Sequence, residues 1–193
     1  MSLDGFLAGP DQSLDNPLGI GGQRLHKWMF PASGPGHEAD VPAREDLAVD
    51  RGAYVMGRNM FGPDRGAPDL DWRGWWGEDP PFHVPVFVLT HHERPALEME
   101  GGTTFHFVTG GIEAALEQAR AAAGGDRVEI AGGASTVNQA LAAGLIEELH
   151  LHTVPVLLGD GERLFAGAGD LALEPVEVTA SPAATHVRYR ITS

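Results

Sequence analysis

Two short stretches place glycine where an anion would need bare backbone. In Val55-Met56-Gly57-Arg58-Asn59-Met60-Phe61 an apolar run ends at a glycine, and a short helix can start just beyond. Backbone N–H groups at a helix start point outward and favour an anion. The Arg58 guanidinium matches a pair of phosphate oxygens. The same residues also suit a strand-ending glycine followed by a solvated arginine. In Ile130-Ala131-Gly132-Gly133-Ala134-Ser135-Thr136 a strand runs through two glycines into a helix. Backbone without Cβ atoms can approach a pyrophosphate closely, and Ser135 and Thr136 can cap the helix or donate to phosphate oxygens. A tight strand-to-helix connection is the other reading. Neither this turn nor Gly19-Ile20-Gly21-Gly22 has the G-x-G-x-x-G spacing behind a strand.

A third stretch, Leu89-Thr90-His91-His92-Glu93-Arg94, sits at a strand's end, the side on which open α/β sheets bind ligands. Thr90, His91 and Arg94 there suit an adenosine phosphate, or form a polar loop. Asp4 and His26 are the candidate proton relays, since an imidazole titrates near neutral pH. Trp28, Phe30 and Trp72 form either an aromatic wall for a flat ring or part of the core. His150 and His152 share a strand face and His91 adjoins His92, but spacing fixes no third ligand, so no metal site is expected. Gly133-Ala134-Ser135 is not a G-x-S-x-G elbow, which argues against a hydrolase.

These groups need elements to hold them. Strands are expected at Ala53–Met56, Pro85–Thr90, Thr104–Val108 and Arg127–Ala131, with a long β-rich run from Glu148 to Leu157. The segment Leu3 to Gly9 ends a strand and enters a loop. Helices are expected at Gln23–Phe30 before Pro31, at Glu38–Arg51, at Ile112–Ala123 before Gly124-Gly125, and from Gly133 to Ala143. Gly62 to Pro85, with Trp72, Trp75 and Trp76, reads as a long loop with aromatic anchors. Strands near Leu173–Thr179 and Thr185–Ile191 make a hairpin around Ser181-Pro182. Strand and helix alternate in the middle, and strands alone follow. This gives an α/β fold with a mixed, mostly parallel sheet covered on both faces.

The chain of 193 residues suits one domain, residues 1–193. A formal net charge of -14 disfavours nucleic acids and anionic membranes as partners. No stretch approaches a membrane span, and the opening residues lack a signal peptide's basic and apolar regions. The absence of cysteine excludes disulfides and fits a reducing cytoplasm.

The order Ser2 to Gly9, Val55 to Arg58, Val88 to Thr90, Ile130 to Ala134 and Pro155 to Gly161 resembles the dihydrofolate-reductase-like family, which includes the reductase domain of riboflavin biosynthesis. The resemblance implies a three-layer fold with helices on both faces of the central sheet and a C-terminal antiparallel hairpin. It also implies NADPH across the strand C-termini, and a homodimer. On that pattern Gly57, Arg58 and Asn59 form the first phosphate-binding turn. Leu89, Thr90 and His91 flank the adenosine 2′-phosphate. Gly132, Gly133, Ala134, Ser135 and Thr136 underlie the pyrophosphate and nicotinamide, and Leu7 and Ala8 lie beside the nicotinamide. Three departures bear on the substrate. Relatives carry a longer strand before Ser2-Leu3-Asp4-Gly5, so the first strand is either shortened or begins upstream. Riboflavin-pathway reductases hold Lys where Phe6 stands and Glu where Ala131 stands. Dihydrofolate reductases carry an acid on the early helix, which Gln23 to Phe30 lacks. The expected function is an NADPH-dependent reductase of a small, flat heterocycle, pyrimidine- or pterin-like. The alternative is a non-catalytic NADPH- or metabolite-binding sensor.

Overall fold

Four of the apolar runs become the parallel part of the central sheet. The structure is a computed structural model that describes residues 1–30, 36–47, 49, 51–62 and 69–192. The elements run β1 (Phe6–Ala8), a 3-10 helix (Gly22–Met29), α1 (Asp40–Leu47), β2 (Ala53–Gly57), α2 (Arg58–Phe61), β3 (Pro85–Leu89) and β4 (Leu97–Glu98). After a 3-10 turn (Glu100–Gly102) come β5 (Thr104–Val108), α3 (Gly111–Ala123), β6 (Val128–Gly132), α4 (Ala134–Ala142), β7 (Glu148–Thr153), β8 (Glu162–Arg163), β9 (Ala172–Ala180) and β10 (Thr185–Thr192). Parts of the expected helix Glu38–Arg51 and loop Gly62–Pro85, and Pro31 itself, lie outside the described residues.

The central sheet has the order β4-β5-β3-β2-β6. Its inner pairs β3–β5, β2–β3 and β2–β6 are parallel, and β4 is antiparallel at the edge. Side chains alternate across it, as a pleated strand requires. Ala53, Val55 and Phe87 face one side, where Ile112, Ala115, Leu116 and Ala119 of α3 and Ala140 of α4 cover them. Met56, Val86, Val88 and Phe105 face the other, under Phe61 of α2 and Trp72, Trp76 and Phe82. That second layer is thus one short helix and a tryptophan-bearing segment. Val55, Val86, Val88 and Phe105 have no exposed surface, and each contributes about 1.5–3 kcal/mol by its burial. The α3 helix stops at Gly124, whose φ of 63° lies in the left-handed region.

The C-terminal hairpin forms, but it joins β7 in a separate antiparallel sheet, β7-β10-β9, and β1 pairs with β8 alone. The N-terminal residues reach β7's end by a parallel bridge from Ser2 to Val154. The β-rich run expected to Leu157 ends at Thr153, before Pro155, which has no N–H for a ladder. The early helix is 3-10 rather than α, and buries Leu25 and Trp28. Among the described residues no helix is long and apolar enough to cross a membrane.

Candidate functional site

The two glycine turns meet at the C-terminal ends of neighbouring strands. β2 and β6 run parallel, with Val55 opposite Ile130 and Met56 opposite Gly132, so Ala131 is an extra residue in the ladder. Gly132 has φ 131°, which favours glycine, and its peptide to Gly133 is cis. A Cβ built on Gly57 would stand 2.5 Å from Thr136 Oγ1 and 3.7 Å from Gly133 N. Residue 57 must therefore be glycine for the turns to nest. α4 begins at Gly133 with no side-chain cap, which leaves its first N–H groups and the positive end of its dipole to an external anion. Thr136 is buried and Ser135 is exposed, with its Oγ accepting from Gln139.

Beside these turns opens a pocket of about 400 Å³, walled by Arg58, Phe61, Trp72, Thr90, His92 and Phe107 among others. Arg58 and Thr90 are thus brought together from separate strand ends. Thr90 is buried, and its hydroxyl accepts the His92 N–H at 3.2 Å. Asn59 and His91 are exposed, and Leu89 packs against the α3 side of the sheet. Arg94 also lines the pocket. Its guanidinium donates to the carbonyls of Asp69 (3.2 Å), Leu70 (2.9 Å) and Trp72 (2.6 Å), and lies over Phe107 at 4.9 Å. It pins residues 69–72 over the pocket. Trp72 adds its Nε1–H to Phe61 O at 2.9 Å.

Neither candidate proton relay lines this pocket. The Asp4 carboxylate accepts from Leu158 N and, at 2.7 Å, from Gly159 N. The Ser2 hydroxyl and these amides lower its pKa to about 2, so it stays ionised and fastens the 158–159 turn. A group so committed is poorly suited to give up a proton near neutral pH. His26 lies on the 3-10 helix with Nδ1 buried and unbonded, and burial lowers its pKa. Leu7 and Ala8 lie on β1, with Ala8 opposite Glu162 of β8.

The aromatic wall does not assemble. Trp28 is buried against His152 (4.4 Å between ring centroids) and His186 (4.8 Å), Phe30 is 69% exposed, and Trp72 alone reaches the pocket. His152 Nδ1 meets His186 Nδ1 at 2.8 Å, and His186 Nε2 meets Asp40 Oδ1 at 2.9 Å. His150 pairs with Asp46 and Glu148. No cluster suited to a metal occurs among the described residues. Sequence reasoning missed Gln12, Ser13 and Leu14, which line the pocket from the loop after β1, and Phe61 and Phe107. The period-two alternation of Phe105 and Phe107 was the available signal for the last.

The comparisons with known proteins agree with this architecture. The RibD C-terminal domain family matches residues 1–187. A putative riboflavin biosynthesis protein from Shewanella sp. PV-4 superposes with a TM-score of 0.63 at 23% identity, over 100% of this chain and 96% of that one. A diaminohydroxyphosphoribosylaminopyrimidine deaminase/5-amino-6-(5-phosphoribosylamino)uracil reductase from Thermotoga maritima gives 0.58 at 16% identity, over 99% of this chain and 54% of its own length. A pyrimidine reductase-like protein from Corynebacterium diphtheriae gives 0.55 at 14%, over 100% and 89%. None of the curated proteins matches the sequence. At these identities the structural likeness is one of fold. The match over residues 1–187, together with the nested glycine turns on a mixed, mostly parallel sheet, places the chain in the RibD C-terminal domain family.

Proposed function

We propose that the protein is an NADPH-dependent reductase of a small, flat heterocyclic substrate, pyrimidine- or pterin-like. The observation that carries this reading is the nesting of Gly57 against Thr136 and Gly133 at the start of the uncapped α4 helix. That cradle fits a dinucleotide: it offers backbone N–H groups without side chains in the way. Gly57, Gly132, Gly133, Ala134, Ser135 and Thr136 would hold the pyrophosphate. Arg58 and Thr90, at the pocket, would hold the adenosine end and favour NADPH over NADH. NADPH supplies the hydride when bound. The chain's own residues orient it and, through residues 69–72, wall the pocket from water. The Shewanella and Thermotoga relatives, named for riboflavin biosynthesis and a uracil reductase, support the reductase class.

The test is NADPH titration of the wild type and of Gly133→Asp. A thermal shift and micromolar binding in the wild type, lost in the variant, are expected. No shift in the wild type, or equal binding by both, rejects the proposal. Turnover is then followed by NADPH oxidation with quinonoid, pterin and pyrimidine substrates. The commitment of Asp4 to Leu158 and Gly159 favours a second reading, a non-catalytic NADPH sensor. Binding without turnover on any substrate selects it. A homodimer belongs to the same proposal, supported by β9, most of whose residues are exposed, with Val178 at 61%. Light scattering measures it.

A further inference from the structure

Arg163 differs from the arginines that carboxylates neutralise. In a chain of net charge -14, Arg51, Arg73, Arg127, Arg188 and Arg190 each pair with a carboxylate. Arg163 is exposed and has no ion pair with any described residue. Its guanidinium is nevertheless fixed. It lies over the Phe6 ring at 4.3 Å and donates through Nη1 to the carbonyl of Asp4 at 3.1 Å. The Asp4 carboxylate is turned away, to Leu158 and Gly159.

The backbone beneath is clamped as well. Asn138 of α4 donates to Arg163 O at 3.1 Å and accepts Phe165 N–H at 2.7 Å. Leu164 N–H donates to Gly5 O at 2.9 Å. Arg163 sits opposite Phe6 in the β1–β8 pair, next to Leu7 and Ala8. A long side chain normally loses rotamer freedom when it binds a ligand. Here much of that cost falls in folding. A guanidinium with one face on an aromatic ring and one N–H on a carbonyl keeps the rest of its planar fork for a carboxylate or phosphate.

We propose that Arg163 binds an oxyanion carried by the substrate and so sets which substrates the site accepts. The proposal rests on the reading that β1 lines the substrate side of the NADPH site. Two matched pairs test it: orotate against uracil for a carboxylate, and uridine 5′-monophosphate against uridine for a phosphate. Affinities are measured by titration calorimetry with and without NADPH, for the wild type, Arg163→Gln and Arg163→Lys. Because the side chain is exposed, both variants are expected to fold, with NADPH affinity within about twofold of the wild type. In at least one pair the wild type should prefer the anionic member by about tenfold or more, the worth of one good charge-assisted hydrogen bond. Arg163→Gln should lose that preference, and Arg163→Lys should retain part of it. The pair that responds identifies carboxylate or phosphate. No preference in either pair, or a preference that survives in Arg163→Gln, overturns the proposal. Failure of NADPH to bind the wild type instead rejects the cofactor reading, and the probe titrations without NADPH still judge Arg163.

Discussion

The space where Gly57 would carry a side chain belongs to Thr136: a Cβ at residue 57 would approach the Thr136 hydroxyl oxygen to 2.5 Å. The contact joins two turns nearly eighty positions apart, so either turn constrains the other. Gly57→Ala should overpack this junction and destabilise the fold by about 1–3 kcal/mol, with a larger proportional loss of NADPH affinity. Combining it with Thr136→Ser keeps the hydroxyl and should not relieve the clash; combining it with Thr136→Ala should recover part of the stability. Urea midpoints of the three variants measure this. Equal destabilisation with Ser and with Ala would mean that the hydroxyl contact is not the cause.

Arg51 is a cation held inside the fold. Its side chain is 2% exposed, and Nε donates to Glu129 at 2.6 Å while its Nη atoms donate to the carbonyls of Val49 and Asp46. Burial would lower its pKa, but the hydrogen bond and charge of Glu129 outweigh that and raise it. Glu129→Gln removes the charge facing a desolvated guanidinium and should cost about 1.5–3 kcal/mol. Asp46, 3.4 Å from Nη2, limits the loss. Chemical denaturation reads the difference directly, and a change below about 0.5 kcal/mol would place this pair with ordinary surface ion pairs.

What the sequence disclosed follows the range of the interactions. The glycine turns were legible because strand, glycine and helix start are local, and only their contact needed the fold. The role of Arg94 in pinning residues 69–72 was not legible, because its partners are carbonyls 22 to 25 positions upstream, which no motif marks. The Asp40–His186–His152 chain joins residues 146 and 34 positions apart and leaves no trace in spacing. β8 has two residues, too few for a period, so the place of Arg163 beside Phe6 was invisible. Trp28 and Trp72 looked alike in sequence, yet one is core and the other lines the pocket, since only the neighbouring layers distinguish them.

Asp4 acts as the fastener of the turn at Leu158 and Gly159. Asp4→Asn keeps the shape but substitutes a neutral amide for a carboxylate that accepts these N–H groups. Amide exchange at Leu158 and Gly159 should speed up in the variant, with little change in the central strands. Because the carboxyl pKa is about 2, the wild type should show no pH dependence of this exchange protection that titrates near neutrality. A protection change centred between pH 5 and 7 in the wild type, absent in Asp4→Asn, would restore Asp4 as a group that exchanges protons there.

His152 should make the fold sensitive to mild acid. Burial, and then the neighbouring His186, lower its pKa from 6.5 to about 4, so the folded protein holds the ring neutral beside Trp28. As the pH falls below 6.5 the unfolded chain takes up this proton first. Stability is therefore fully present above pH 6.5 and is lost progressively down to about pH 4, by roughly 3 kcal/mol in all. Asp40 acts in the same direction at lower pH. Burial alone would raise its pKa, but hydrogen bonds from Ser181, His186 and His37 hold it below the ordinary carboxyl value. The measurement is the urea midpoint at several pH values for the wild type and for His152→Gln, which cannot take up the proton. The variant should be less stable at pH 8 and show a shallower decline between pH 6.5 and 4. Parallel curves for the two proteins would assign the acid sensitivity to other groups and leave His152 a packing residue under Trp28.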